Sequence, residues 1–108
     1  MKTTFLLLLS TFILHANSGP DAILGEWISQ EKDGKISIYK QGDKFYGKIT
    51  WSKTPGKKDS NNPDPKLRSR DLINTVILED FKFKGSSWEE GKIYDPKSGK
   101  TYDCILKL

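Results

Sequence analysis

Carboxylates are plentiful in this chain, while histidine and cysteine are nearly absent. It carries fourteen Asp and Glu against one histidine, His15, and one cysteine, Cys104. Zinc-type centres draw on clusters of His and Cys, which this composition does not supply, and Ser-His-Asp or Cys-His nucleophile systems need an imidazole placed in the fold. Among the acids, Glu79-Asp80 and Glu89-Glu90 are adjacent pairs. Neighbours in an extended strand point to opposite faces, so neither pair is expected to share one substrate. A carboxylate pair assembled across strands, as glycoside hydrolysis uses, is the single catalytic arrangement left open. The expectation is a protein without enzymatic activity, catalytic residues, metal or cofactor.

Two further stretches resemble binding motifs on the surface and fail on detail. Asp59-Ser60-Asn61-Asn62-Pro63-Asp64 begins like a calcium loop. Pro63 sits where an oxygen ligand belongs, Asp64 replaces the turn glycine, and no Glu closes the loop; Asn and Asp there are expected simply to cap turns. Lys53, Lys57, Lys58, Lys66, Arg68 and Arg70 lie near Trp51 and suggest a stacking-plus-phosphate surface. Asp59, Asp64 and Asp71 interrupt that charge, and Trp51 ends an alternating face that reads as core, so no nucleic-acid partner is expected. Cys104, on the face of Tyr102 and Leu106, reads as a small buried hydrophobe.

His15 falls in a segment expected to be removed. Lys2, the apolar run Phe5 to Leu14 and the A-x-S site Ala16-Asn17-Ser18 make residues 1–18 a secretory signal peptide. The run is about half the roughly twenty residues that a membrane-spanning helix needs. Residues 19–108 are then one small domain, exported to the periplasm or secreted, and the formal charge falls from +4 to +3 with the loss of Lys2. Cys104 has no partner in its own chain for a disulfide.

Strands and turns account for nearly all of that domain. Phe45, Gly47, Ile49 and Trp51 alternate with Lys44, Tyr46, Lys48 and Thr50, and Ile36 and Ile38 alternate with Lys35, Ser37 and Tyr39. Lys32-Asp33-Gly34 and Gln41-Gly42-Asp43 are glycine-containing turn signals of hairpin length. Gly25 to Ser29, Thr75 to Lys84, Trp88 to Tyr94 and Lys100 to Leu108 supply further strands, with turns at Gly85-Ser86-Ser87 and Asp95 to Gly99. No stretch has a helical period, so the pattern predicts an all-β antiparallel meander. With one apolar and one polar face per strand, such a sheet tends to close into a barrel. The Pro-, Asn- and Lys-rich stretch from Ser52 to Asp71 stands apart as a long loop, with one helical turn expected at Lys66-Leu67-Arg68. Loops of that length are commonly functional.

A set of motifs in fixed order extends this reading: Gly25-x-Trp27, Asp33-Gly34-Lys35, Tyr46-Gly47-Lys48-Ile49-x-Trp51, Asn62-Pro63-Asp64-Pro65-x-Leu67-Arg68, Ile77-Leu78-x-x-Phe81, Trp88-x-x-Gly91-x-Ile93-Tyr94-Asp95-Pro96 and Gly99-Lys100-Thr101-Tyr102. Together they resemble the bacterial domain-of-unknown-function 2147 family across essentially all of residues 19–108. The resemblance implies export, a lipocalin-like (calycin) up-and-down barrel and an internal cavity, and assigns no catalytic residue. The Gly25-x-Trp27 start is similar to the motif whose Trp plugs the closed end of lipocalin barrels beneath an arginine of the last strand. Two departures stand out. Asn74 replaces a usual glycine, and family members continue past Leu108 into further strands, so that arginine is missing here. The barrel is therefore expected to be incomplete or open, with dimerisation through an exposed edge strand or Cys104.

The functional expectation is a carrier of a small apolar or amphipathic ligand, with Phe45, Ile49, Trp51, Phe81 and Phe83 lining its site. The alternative is a cell-envelope interaction module that uses the 52–71 loop as its contact surface.

Overall fold

The computed structural model of the chain describes residues 4–8 and 19–108. The expected leader therefore lies outside the described residues, except for Thr4–Leu8. Seven strands are described: β1 (Thr4–Leu8), β2 (Gly25–Ile28), β3 (Gly34–Gln41), β4 (Lys44–Ser52), β5 (Val76–Phe83), β6 (Trp88–Asp95) and β7 (Lys100–Lys107). One sheet takes them in the order β1-β7-β6-β5-β4-β3-β2. β2 to β7 form a six-strand antiparallel meander, all β as its alternation predicts, and the sheet is not closed, since β2 and β7 do not pair. In the full chain the β7 edge is covered by β1, which runs parallel to it from Thr4 opposite Asp103 to Leu8 opposite Lys107; the bare edge is the expectation for residues 19–108, to which β1 does not belong. An open edge presents a row of unpaired N–H and C=O groups, and an extended segment such as Thr-Phe-Leu-Leu-Leu satisfies them. Among the described residues no helix is long and apolar enough to cross a membrane.

The sheet curls around Trp27, Ile38, Phe45, Leu78, Phe81, Trp88, Cys104 and Leu106. Cys104 is buried, and burial pushes its thiol up to about 12, so dimerisation through this sulfur would require β6 and β7 to open first. One end of the half-barrel is plugged by a short 3-10 turn, Pro20–Ile23, that buries Ala22 and Ile23. The Trp27 indole N–H donates to the Ile23 carbonyl at 2.8 Å, and that of Trp88 donates to the Pro20 carbonyl at 3.1 Å. The turn gives both buried indoles the acceptor they need. Trp27 thus finds its polar partner in the Ile23 carbonyl.

Curvature comes from irregularities that strict alternation does not anticipate. Between Phe45 opposite Phe81 and Gly47 opposite Leu78, β5 holds one extra residue, and β6 holds one extra between Trp88 and Gly91. Asp80 (φ 63°) and Glu90 (φ 62°) take the left-handed conformation at these bulges, which bend a strand and increase its twist. The two acidic pairs therefore do not split cleanly between faces. Glu79 and Asp80 are both exposed. Asp80 accepts a hydrogen bond from the Tyr46 hydroxyl at 3.0 Å, and Glu90 pairs with Lys84 at 3.0 Å. Asn74 also turns out left-handed, at φ 72°, a conformation that Asn tolerates in place of glycine.

Candidate functional site

The end of the half-barrel opposite the plug is open, and a cleft of about 180 Å³ lies there. Its floor is apolar: Ile36 from β3, Ile49 from β4, Ile77 from β5 and Leu72 from the long loop. Trp51, Lys35, Lys57 and Lys97 stand at its mouth. A designed apolar cavity of similar size, about 150 Å³, holds benzene, so this cleft accommodates a single ring or a short acyl chain.

Trp51 is placed by a bulge. Ile36 pairs with Ile49, but Lys35 pairs with Trp51, so Thr50 is an extra residue in β4. The expected core position is corrected accordingly: Trp51 leaves the inward face and is 41% exposed at the rim. The Lys35 ammonium lies 5.6 Å from its ring centroid, a cation–π arrangement that steadies the indole plane.

The five residues expected to line a site are distributed along the whole barrel. Ile49 and Trp51 meet at the cleft. Phe45 and Phe81 are almost fully buried and pair across β4 and β5 below it. Phe83 lies at the plugged end, 5.1 Å from the Trp88 ring. Cleft residues without a signal in the β alternation are Leu72 and Lys57, both delivered by the long loop.

That loop is mostly exposed, as its composition suggests, but it is tied down around a small buried polar centre. Its neck pairs Lys58 with Asp71 as an isolated bridge, flanked by Asp59 N–H to the Arg70 carbonyl and Leu72 N–H to the Lys57 carbonyl, both at 3.0 Å. The expected helical turn forms at Pro65–Leu67, where Asp64 accepts from the Lys66 N–H. At its centre Asp59 is completely buried. One carboxylate oxygen accepts from the Tyr94 hydroxyl at 2.6 Å; the other accepts from the Asn62 amide at 2.8 Å and from Arg70 Nε and Nη2 at 3.0 and 2.9 Å. Burial alone would raise the Asp59 pKa, but these hydrogen bonds and the guanidinium charge outweigh it, and the carboxyl is held below the usual range. The tip reaches the β6–β7 turn, where the Asn61 amide donates to the Pro96 and Lys97 carbonyls at 3.3 and 3.0 Å. Gly99 has to be glycine: its φ is +72°, and a Cβ there would lie 2.0 Å from the Asn61 carbonyl oxygen. Asp59 thus clasps loop to sheet and holds Leu72 and Lys57 over the cleft. The four polar residues of this clasp carry no sequence period; the only signal available was an Asp-Asn pair at i, i+3, the spacing of a capped turn.

Tyr94 reports on the clasp. Burial first, then its hydrogen bond to the Asp59 carboxylate, pushes its phenol up to about 12. A group raised in the folded state stabilises the fold below its unfolded value, near 10, and that contribution is lost as pH rises through about 12. We therefore expect Tyr94 to ionise about two pH units after an ordinary tyrosine, seen as a late tyrosinate absorbance step that Tyr94→Phe removes.

A second, broader groove of about 670 Å³ runs between the loop and the outer face of β5–β7, beside Arg70, Asp71, Thr75, Glu79 and Thr101. Its lining is mixed and lacks a continuous apolar floor, so the cleft is the better candidate. Among the described residues no group of three His, Cys, Asp or Glu is placed to hold a metal ion.

Residues 25–108 match the family model described as "Uncharacterized protein conserved in bacteria (DUF2147)". Among solved structures, the chain is similar to protein HP1028 from the human pathogen Helicobacter pylori, which is described as belonging to the lipocalin family. The two share 31% identity and a TM-score of 0.65 over 69% of this chain and 53% of that one. The chain thus spans about half the length of that protein. Among curated proteins none matches.

Proposed function

The chain belongs to the DUF2147 family of bacterial proteins, and from that premise we propose that its half-barrel binds a small apolar or amphipathic ligand at the open end, outside the cytoplasm and without catalysis. The observation that carries this reading is the cleft itself: an isoleucine floor beneath Trp51, roofed by a loop that the buried Asp59 carboxylate and its half-exposed partner Arg70 hold in place. Pockets for small ligands are largely apolar, preformed and fringed by a few polar groups. The likeness to a lipocalin-family structure supports it at the level of fold. Export rests on the Lys2, Phe5–Leu14 and Ala16-Asn17-Ser18 pattern.

Use of the loop as a docking surface is less well supported. Arg70 is spent on Asp59, and Arg68 donates to the Asn62 carbonyl at 2.7 Å, so two of its three cations nearest the tip serve the loop's own structure. Pairing of edge strands into a dimer would need the β7 edge, which β1 covers in the full chain and which removal of residues 1–18 would bare.

The neutral dye N-phenyl-1-naphthylamine tests the reading. Its fluorescence should rise saturably with the full chain, and Trp51→Ala should weaken binding by about tenfold, the scale of an aromatic contact that the bound ligand covers. Unchanged affinity in that variant would move the site elsewhere.

A further inference from the structure

Three separate pieces of chain line the cleft. The sheet supplies the isoleucine floor, the foot of the long loop supplies Lys57 and Leu72, and the β6–β7 turn supplies Pro96 and Lys97. Loop and turn are each closed on themselves. The loop closes at its neck, where the Leu72 N–H donates to the Lys57 carbonyl and the Asp59 N–H to the Arg70 carbonyl. The turn closes where the Gly99 N–H donates to the Asp95 carbonyl at 2.8 Å. The Asp95 carboxylate also accepts from the Lys97 N–H and the Ser98 hydroxyl, both at 3.0 Å.

The joint between these two units is polar and narrow. The Asn61 amide donates to the Pro96 and Lys97 carbonyls at 3.3 and 3.0 Å, and Asp59 accepts from Tyr94, just before the turn, at 2.6 Å. Within residues 52–71 only Asp59 and Asn62 are buried, both of them polar. A segment with few buried apolar contacts and exposed hydrogen bonds opens at low free-energy cost. Asn61 itself is exposed and does not line the cleft. The joint also has no slack, since a Cβ on Gly99 would lie 2.0 Å from the Asn61 carbonyl oxygen.

We infer that the loop and the β6–β7 turn are the two jaws of the cleft, and that Asn61 is a positioning residue that sets ligand affinity by keeping them joined. This rests on the ligand-binding reading above and adds how the site is held closed. A ligand that fills the cleft meets Leu72 from one jaw and Pro96 from the other, so its contacts are complete only while the jaws are together. A ligand that is bound better by the joined state must in return favour that state. Asn61→Ala removes the tie, and Gly99→Ala drives a wedge into the same joint.

Two measurements on the full chain test this: calorimetric titration with 1-octanol, and amide hydrogen exchange with and without saturating 1-octanol. Asn61→Ala should weaken octanol binding by about fivefold, the low end of coupling between distinct sites, and Gly99→Ala by at least as much. In the unaltered chain octanol should slow exchange of the Asp59 and Leu72 amides of the loop and the Gly99 amide of the turn together. A merely structural role for Asn61 would leave that exchange indifferent to octanol. Either variant binding octanol as tightly as the unaltered chain, or exchange at those amides that octanol does not slow, would overturn the inference while ligand binding stands. Absence of saturable octanol binding to the unaltered chain would overturn both.

Discussion

Asp59→Ala should cost roughly 2–4 kcal/mol of folding stability, which for a domain of this size lowers the melting temperature by about 10–20 °C. The carboxylate is fully buried and accepts from Tyr94, Asn62 and Arg70. Without it, the Tyr94 hydroxyl and the Asn62 amide keep their places and lose their acceptor. Arg70, 38% exposed, can turn toward water, which is why the cost stays below the upper end for a broken buried pair. Asn at this position should do little better, because its amide would present donors to donors. Acid dependence gives the sign. Asp59 is held below its ordinary value, so its contribution is present above about pH 4 and is lost as pH falls below it. Thermal melts between pH 3 and 7 should show wild type losing stability faster on the acid side than Asp59→Ala. Parallel curves would mean that the clasp contributes nothing ionic.

Gly91→Ala should be the most disruptive single-methyl change in the sheet. A Cβ on Gly91 would lie 2.4 Å from the Phe81 ring, whose side chain is completely buried. Close-packed interiors leave such a ring nowhere to go, and overpacking of this kind costs about 1–3 kcal/mol. The upper end is expected here, because Phe81 stands opposite the equally buried Phe45 in the β4–β5 register and has core on that side too. Shortening the ring should restore room, so Phe81→Leu in the Gly91→Ala background should recover part of the loss, although Phe81→Leu alone destabilises. Strict additivity of the two, measured by denaturant unfolding of both single variants and the double variant, would rule out that contact as the cause.

These cases show where sequence reasoning reaches and where it stops. Period-two runs locate β3, β4 and β7 because each has one face against the core, and Gly42 and Gly99 mark turns because both need a positive φ. Trp51 was misplaced because Thr50 is a bulge residue of ordinary type, and one extra residue re-aims everything that follows it in the strand. Asp80 and Glu90 hide their bulges in the same way, being left-handed without being glycine. Asp59 was missed for another reason. Its neighbours are polar and its key partner, Tyr94, lies thirty-five residues away, so nothing local distinguishes a buried carboxylate from a solvated one. The apolar floor was half visible, with Ile36 and Ile49 in alternating runs. Leu72 and Lys57 reach the cleft only because the clasp folds the loop over it.

Isoleucine methyl NMR of the full chain, titrated with 1-octanol, tests ligand binding at the open end most directly, because isoleucines line both ends of the half-barrel. The account predicts saturable shifts and ligand-to-methyl NOEs at Ile36, Ile49 and Ile77, with Ile23 and Ile38 at the plugged end silent. NOEs confined to Ile73 of the outer groove, or no saturable shift at any isoleucine, would contradict it.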